Sequence, residues 1–435
     1  EQSAAWCGAL RSRAAEVASH LGWRSVGHVE VALRVLGGFD ETDPFTHTLT
    51  QAAATSIDAA NQRSKRLNGL PMAMLIRHAP WVSLPRGSRV LLAGLDDDPQ
   101  LKEALEDAGL RATHWRRFAC SASDPHAAPW PPSPQEGGYA GCLMRWPWYA
   151  AGEAAAMMIH AVGSVLAPTS PLWVCGNTDE GADAAAAALR LAFSDDHVEV
   201  IESADGTVLL RARRDAANAT STAASKAGTL QASLEAWCTR GSLALPQIAH
   251  SAADGKKSST PSPSAPSPSA PSPPAPSVEW VTYPGLFAAG GLDVMTAALL
   301  AALPLPPKGG TVLDACCGSG TIAATLTAAA LASGDHQLTV HMLDADAVAL
   351  AAARVNVRPA AARSFLCSGW PDTAACFAKK GKPKRYDWIV SNPPFHRGQP
   401  DDFTMVATLI RGARDRLKKH GVLWIVAQEQ VPVGR

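Results

Sequence analysis

The sequence predicts two tandem α/β lobes of Rossmann-like type joined by a low-complexity linker. Three observations carry this expectation. The first is a glycine turn between an apolar strand and an Ala-rich helix: Thr311-Val312-Leu313-Asp314-Ala315-Cys316-Cys317-Gly318-Ser319-Gly320, then Thr321 to Ala332. The second is the apolar run Trp388-Ile389-Val390-Ser391, which stops at Asn392-Pro393-Pro394-Phe395-His396. The third is an upstream echo of that strand and proline turn, Gly141-Cys142-Leu143-Met144-Arg145-Trp146-Pro147-Trp148.

Glycines at 318 and 320 let backbone approach a ligand closely, with a helix N-terminus behind the turn. A lone Gly-x-Gly says little. Here a second apolar strand, Leu338-Thr339-Val340-His341-Met342-Leu343, follows and ends in Asp344. An acid about 20 residues beyond such a turn is placed to accept hydrogen bonds from ribose hydroxyls. A dinucleotide fold would carry a further glycine where this chain has Ala323, which disfavours NAD. S-adenosylmethionine, an adenosine without phosphates, fits what remains. The bland alternatives are Asp314 as a strand-end cap and Asp344 as a helix N-cap.

Two consecutive prolines cannot continue a sheet ladder, so the strand before Asn392 must turn there. That puts an amide side chain, a proline carbonyl and an aromatic ring at the C-terminal end of a strand, where open α/β sheets bind ligands. The set suits methyl transfer to a planar exocyclic amine, a poor nucleophile because its lone pair is delocalised into the ring. The Asn392 side-chain oxygen and the Pro393 carbonyl can accept its two N–H bonds, while Phe395 stacks on the base. The bland reading is a proline-rich turn after a strand.

With these motifs in place, residues 281 to about 430 resemble the catalytic half of the RsmC/RlmG-type ribosomal RNA guanine-N2 methyltransferases, a class I methyltransferase family. The resemblance runs from Tyr283-Pro284-Gly285-Leu286-Phe287 and Gly291-Leu292-Asp293, through Asp314 to Gly320 and Asp344, to Ser391 to His396. Thr408 to Ala413 and Gly421 to Val426 complete it. It implies S-adenosylmethionine held by Asp314, Cys316, Gly318, Gly320, Asp344 and Asn392, and a catalytic quartet of Asn392, Pro393, Pro394 and Phe395. The implied partner is ribosomal RNA, with the small subunit preferred. Related DNA-adenine and protein-glutamine methyltransferases usually carry Tyr or Trp in place of Phe395 and lack His396. One departure stands out: the third strand, Ser364 to Trp370, lacks the acid that usually meets the adenine amino group, and Ser368 is expected to substitute. His396 and Arg397, emerging at the catalytic edge, are expected to touch RNA phosphate.

Pro-Ser dipeptides with interspersed Ala recur between residues 251 and 277, a composition that cannot form a core and acts as a spacer. The expected division is an extension over 1–85, a methyltransferase-like lobe over 86–215, a linker over 216–278 and the catalytic domain over 279–435. In the first lobe, Ser88 to Gly94 stands where the first cofactor strand would be, but Leu95-Asp96-Asp97-Asp98-Pro99 follows it without a second glycine. Arg145-Trp146 replaces the Ser-Asn that would hold the amine. The lobe reads as a duplicated and catalytically dead copy, the alternative being two unrelated α/β domains with a shared strand-turn-helix pattern. Residues 1–85 suggest helices over Ala4–Leu21 and Thr48–Asn61, and their role is not legible.

The nine cysteines include no Cys-x-x-Cys pair, and Cys142, Cys175 and Cys367 fall in expected buried strands. That excludes a zinc ribbon or disulfide scaffold and points to a reducing compartment, the cytoplasm or an organelle with bacterial-type ribosomes. No metal is expected. No apolar run is long enough to span a membrane. The formal net charge is zero, so RNA affinity must rest on local patches. The basic run Lys379 to Arg385 precedes the fourth strand, at the edge opposite the cofactor. After the fifth strand, Val422 to Val426, only Ala427 to Arg435 remain, too short for the usual closing hairpin. The expectation is an incomplete sheet with an open, aggregation-prone edge in a protein that is monomeric when complete. Rival functions are methylation of DNA adenine or protein glutamine, or a decayed RNA-binding assembly factor.

Overall fold

The computed structural model describes residues 29–31, 35–36, 69–121, 124–134, 137–147, 152–193, 197–213, 230, 232–248, 277–358, 363–370, 378–379, 382–383, 385–394 and 404–428. It is a mixed α/β structure with two largely parallel sheets.

The first sheet has strands in the order β4-β3-β5-β6-β8-β7. They are β3 (Arg89–Ala93), β4 (Arg111–Trp115), β5 (Gly141–Arg145), β6 (Pro171–Asn177), β7 (Val198–Ala204) and β8 (Thr207–Arg213). β3 to β6 run parallel, and β7 and β8 form an antiparallel hairpin against β6. Helices α1 (Pro99–Asp107), α2 (Glu153–Val165) and α3 (Ala185–Phe193) cover it. β5 and β6 are almost wholly buried apolar runs, as expected of parallel strands covered on both faces. This lobe begins earlier than residue 86: Met74, Leu75 and Trp81 are buried in one cluster with Val90, Leu92 and Leu101. The apolar residues of helical 69–78 need a partner, and the lower face of this sheet supplies it.

The second sheet holds β11 (Thr311–Ala315), β12 (Thr339–Asp344), β13 (Arg363–Leu366), β16 (Tyr386–Ser391) and β17 (Leu417–Gln428). All five are parallel, in the order β17-β16-β11-β12-β13. Helices α4 (Val294–Ala302), α5 (Thr321–Ala332), α6 (Ala347–Asn356) and α7 (Thr404–Arg416) belong to this lobe. The order reverses between β11 and β16, and the chain leaves both strands at the same edge, a topological switch point. The short pair β14 (Ala378–Lys379) and β15 (Lys382–Pro383) carries part of the basic run and leads into the N-terminal end of β16, opposite that edge.

Two expectations are corrected here. The outer edge of β17 is not open: β1 (Val29–Val31) and β2 (Val35–Leu36) pair antiparallel with it, Glu30 opposite Ala427 and Val35 opposite Leu423. An apolar edge next to a buried strand offers unpaired backbone groups, and a β-branched segment from far away in the chain satisfies them. The span 216–278 is also not all spacer. β9 (Thr239–Ala244) pairs antiparallel with β10 (Ser277–Thr282), and Leu245 and Ile248 enter the core of the second lobe. The Pro/Ser/Ala repeat itself, and the helices expected over Ala4–Leu21 and Thr48–Asn61, lie outside the described residues.

The lobes pack on each other. Met157 of α2 shares a buried cluster with Val281, Tyr283 and Leu286 and with Val348, Ala349 and Ala352 of the second lobe.

Candidate functional site

The cleft lies at the C-terminal ends of β11 and β16. Its walls include Phe287, Asp293, Thr296, Cys316, Gly318 and Asn392, around an empty volume of about 340 Å³ that opens to solvent. Polar and apolar groups share the lining, with Asp293, Thr296, Ser319, Thr321 and Asn392 beside Phe287, Cys317 and Ile322.

The floor is the glycine turn. Cys316 sits at φ 59, Gly318 at φ 53 and Gly320 at φ 91, so a left-handed backbone is used three times in five residues. For Cys316 this is strain, which persists only where its surroundings impose it. At Gly320 an added Cβ would come within 2.9 Å of Val357 Cγ2, so this glycine is demanded by space as well as by φ. The Gly318 N–H donates to Asp344 Oδ2 at 2.8 Å, and the Asp346 N–H donates to Asp344 Oδ1 at 2.8 Å. Asp344 is thus held beside the turn at the end of β12. Burial pushes its carboxyl up to about 6.

Asp314 is placed differently from expectation. It is fully buried beneath the turn, and its Oδ2 accepts the Ala323 N–H at 3.0 Å, tying β11 to the first turn of α5. Burial pushes its carboxyl well above the usual range, and nearby Asp344 adds to the effect. It is an internal tie rather than a cleft wall. Ser368 is half-buried, and its N–H meets the Ser121 carbonyl of the first lobe at 3.4 Å.

The roof comes from β16 and α4. Ser391 Oγ donates to the Ala315 carbonyl at 2.6 Å, which locks the end of β16 onto β11. Beyond it Asn392 is half-buried, Pro393 buried and Pro394 exposed. Asn392 Nδ2 donates to Asp293 Oδ2 at 3.0 Å and to Thr296 Oγ1 at 2.9 Å. An ionised carboxylate only accepts, so Asp293 decides which way the amide faces. The amide nitrogen is spent on Asp293 and Thr296, and Oδ1 is the atom these two bonds do not use. Asp293 also caps α4 by accepting from the Met295 and Thr296 N–H groups at 2.9 and 3.2 Å.

Sequence reasoning did not assign roles to Asp293, Thr296 or Phe287. Asp293 carried a signal, an acid at the N-cap position directly before an apolar helical run. Phe287, 66% exposed at the rim, is followed by Ala288 and Ala289 at φ 50 and 51, a strained pair no sequence pattern announces. Phe395, His396 and Arg397 lie outside the described residues.

Among the described residues, the end of β5 in the first lobe is filled by side chains. Arg145 pairs with Glu180 at 2.5 Å, Trp146 is 2% exposed, and an added Cβ on Gly176 would meet Trp146 Cβ at 2.6 Å. Two of the carboxylates after β3 are engaged as follows: Asp98 caps α1 through the Leu101 N–H at 2.9 Å, and Asp97 meets Arg116 at 3.1 Å.

Comparison with known proteins agrees with this geometry. Residues 277–435 match the family model of the methyltransferase small domain. The chain is 34% identical over 155 residues to the ribosomal RNA small subunit methyltransferase C of Idiomarina loihiensis, covering 35% of this chain and 41% of that protein. It is 39% identical over 152 residues to the protein of the same name from Cronobacter sakazakii, covering 35% and 40%. The match thus spans about two fifths of the length of these relatives. In fold, it resembles the T. Thermophilus 16S rRNA N2 G1207 methyltransferase (RsmC), solved in complex with AdoMet and guanosine, with a TM-score of 0.51 and 18% identity over 79% of this chain and 80% of that one. The parallel sheet, with its glycine turn and strand-end Asn at the switch point, thus lies within the residues, 277–435, that match the methyltransferase small domain and are similar to ribosomal RNA small subunit methyltransferase C proteins.

Proposed function

We propose that this protein transfers a methyl group from S-adenosylmethionine to the exocyclic N2 of a guanine in small-subunit ribosomal RNA. The observation that carries this reading is the amide of Asn392, whose donor Nδ2 is engaged by Asp293 so that the acceptor Oδ1 is the atom offered to a substrate. A guanine N2 amine presents two donors and needs acceptors. Asn392 Oδ1 and the Pro393 carbonyl take these two bonds, which turns the nitrogen lone pair toward the cofactor. S-adenosylmethionine supplies the electrophilic methyl when bound. Asp344 and the turn from Cys316 to Gly320 would hold the cofactor, Asp344 by accepting from the ribose hydroxyls. No strong base is required, because the methylated ammonium loses its proton readily, so catalysis is mainly positioning. The target base must leave its stack to reach the cleft, and Phe287 and Phe395 are the aromatic groups offered to it. His396 and Arg397 follow the quartet directly and are assigned to RNA phosphate.

The names of the sequence relatives support the substrate: they are small-subunit ribosomal RNA methyltransferases, and the structural neighbour carries a guanosine. The chain itself is assigned to a reducing compartment with bacterial-type ribosomes. Among the described residues no helix is long and apolar enough to cross a membrane.

The first lobe is proposed to be a degenerate copy of the second. Its strands β4-β3-β5-β6 take the same parallel order as β12-β11-β16-β17, and Arg145 and Trp146 fill the place of Ser391 and Asn392. On this reading the chain divides into the degenerate lobe, a Pro/Ser/Ala-rich spacer and the methyltransferase domain.

Tritiated S-adenosylmethionine with stripped small ribosomal subunits, large subunits, DNA and a release factor tests the reading. Label in small-subunit RNA, recovered as N2-methylguanosine, is expected. Label in DNA or in protein glutamine, or none with retained cofactor binding, would overturn it.

A further inference from the structure

We propose that Arg117, a residue of the first lobe, is a positioning residue of the cofactor site in the second. The inference rests on the methyltransferase reading above and adds to it a role for the degenerate lobe.

Where the first lobe would continue after β4 toward a third strand, its chain instead crosses to the other lobe. Phe118 forms an antiparallel bridge with Asp346. The Ala119 N–H donates to the Ala345 carbonyl at 2.8 Å, and the Ala347 N–H donates to the Arg117 carbonyl at 3.0 Å. Residues 117–119 therefore run as a strand along the loop that joins β12 to α6, directly behind Asp344.

The Arg117 side chain is wholly buried at this seam. Its Nε donates to Asp346 Oδ1 at 2.8 Å and its Nη2 to Asp346 Oδ2 at 2.7 Å, a two-pronged fork. The same guanidinium reaches the carbonyls of Gly285 at 3.1 Å and Pro284 at 3.4 Å. Asp346 passes the constraint on, since its N–H holds Asp344 Oδ1 at 2.8 Å while its Oδ1 caps α6 through the Val348 N–H at 2.9 Å. Pro284 and Gly285, for their part, begin the segment that carries Phe287 and Asp293 into the cleft. One side chain thus ties together the two walls between which the cofactor must fit.

Charge alone does not explain the arrangement. A buried ion pair adds little net stability over an apolar replacement, because both charges lose their water. What the planar fork supplies is geometry, and lysine cannot reproduce it. The seam is tight as well: an added Cβ on Gly285, at φ 78, would meet Ala154 Cβ at 2.8 Å and Arg117 Nη1 at 3.0 Å.

The test uses the full chain with Arg117→Lys, which keeps the charge and loses the fork, and with Arg117→Met combined with Asp346→Asn, which removes the pair together and keeps an α6 cap. Isothermal titration with S-adenosylmethionine is read beside the thermal unfolding transition. Both folded variants should bind about tenfold more weakly, within the coupling usual for one hydrogen-bond network. In an Asp344→Asn background, Arg117→Lys should cost much less, because its effect is routed through Asp344. Unchanged affinity in folded variants, or the full loss persisting in the Asp344→Asn background, would overturn the proposal. Should the variants not fold, hydrogen exchange of the unaltered chain decides: cofactor should slow the Ala119 and Ala347 amides, and unaltered exchange there refutes the coupling. An unaltered chain that binds no cofactor would instead sink the methyltransferase reading itself.

Discussion

Asn392 gives its amide nitrogen to a carboxylate ninety-nine residues earlier, Asp293, at 3.0 Å. That bond joins the end of β16 to the cap of α4, and it engages the amide nitrogen of Asn392. On the proposed reading, the reactive geometry therefore depends on a residue that need not touch the substrate.

Replacing Asn392 with Ala should lower methyl transfer by ~10²-fold or more while cofactor affinity stays nearly unchanged, since a positioned polar contact to the reacting amine is lost. Asp293→Ala should cost activity too, because the amide is then free to turn its nitrogen toward the cleft. Single-turnover rates on stripped small subunits check both. Full activity of Asn392→Ala would refute the amine-holding role.

Cofactor binding should depend on pH through Asp344. Burial raises its carboxyl from 3.8 to about 6, and the ionised form is the one that accepts from ribose hydroxyls. The sign is therefore opposite for folding and for binding. Folding favours the protonated carboxyl, so this group's contribution to stability is full below its ordinary value and is lost as pH rises through about 6. Affinity for S-adenosylmethionine should instead strengthen over that window and level off above it. Titrations from pH 5 to 8 should lose this step in Asp344→Asn; a step that survives the substitution would assign it elsewhere.

The first lobe should bind no cofactor. With its cleft filled by Trp146 and the Arg145–Glu180 pair, a calorimetric titration should give one S-adenosylmethionine per chain. Trp146→Ala should leave that affinity unaltered. Two sites per chain would contradict a degenerate lobe.

Loss of the β1 and β2 pairing should expose β17. Deleting residues 1–36, or placing Pro at Glu30 opposite Ala427, removes backbone partners from an apolar edge. Light scattering at rising temperature should show earlier aggregation than in the unaltered chain. Equal colloidal stability would mean that this pairing does not protect the edge.

Gly320→Ala should weaken both folding and cofactor binding. At φ 91 a Cβ is strained, and it would press on Val357 and Ala353 of the second lobe. A loss of roughly 1–3 kcal/mol in stability is expected, measurable by denaturant unfolding.

Much of this was readable in one dimension because its causes are local. An apolar run that ends in two prolines must turn, and a Gly-x-Gly before an Ala-rich stretch must open a helix; the structure has α5 over Thr321–Ala332 and β16 ending at Ser391. Apolar runs and turn chemistry likewise marked β3, β5, β6, β11 and β12, and hence two parallel sheets. Tertiary structure alone decided the rest. That Asp314 turns inward to Ala323 depends on how α5 packs, and that a short β-branched segment near residue 30 covers β17 depends on an edge formed almost 400 residues later. The same holds for the Arg117–Asp346 fork, whose partners are 229 residues apart. A sequence pattern records what neighbours along the chain can do, whereas burial and long-range pairing choose among groups that become neighbours only when the sheets close.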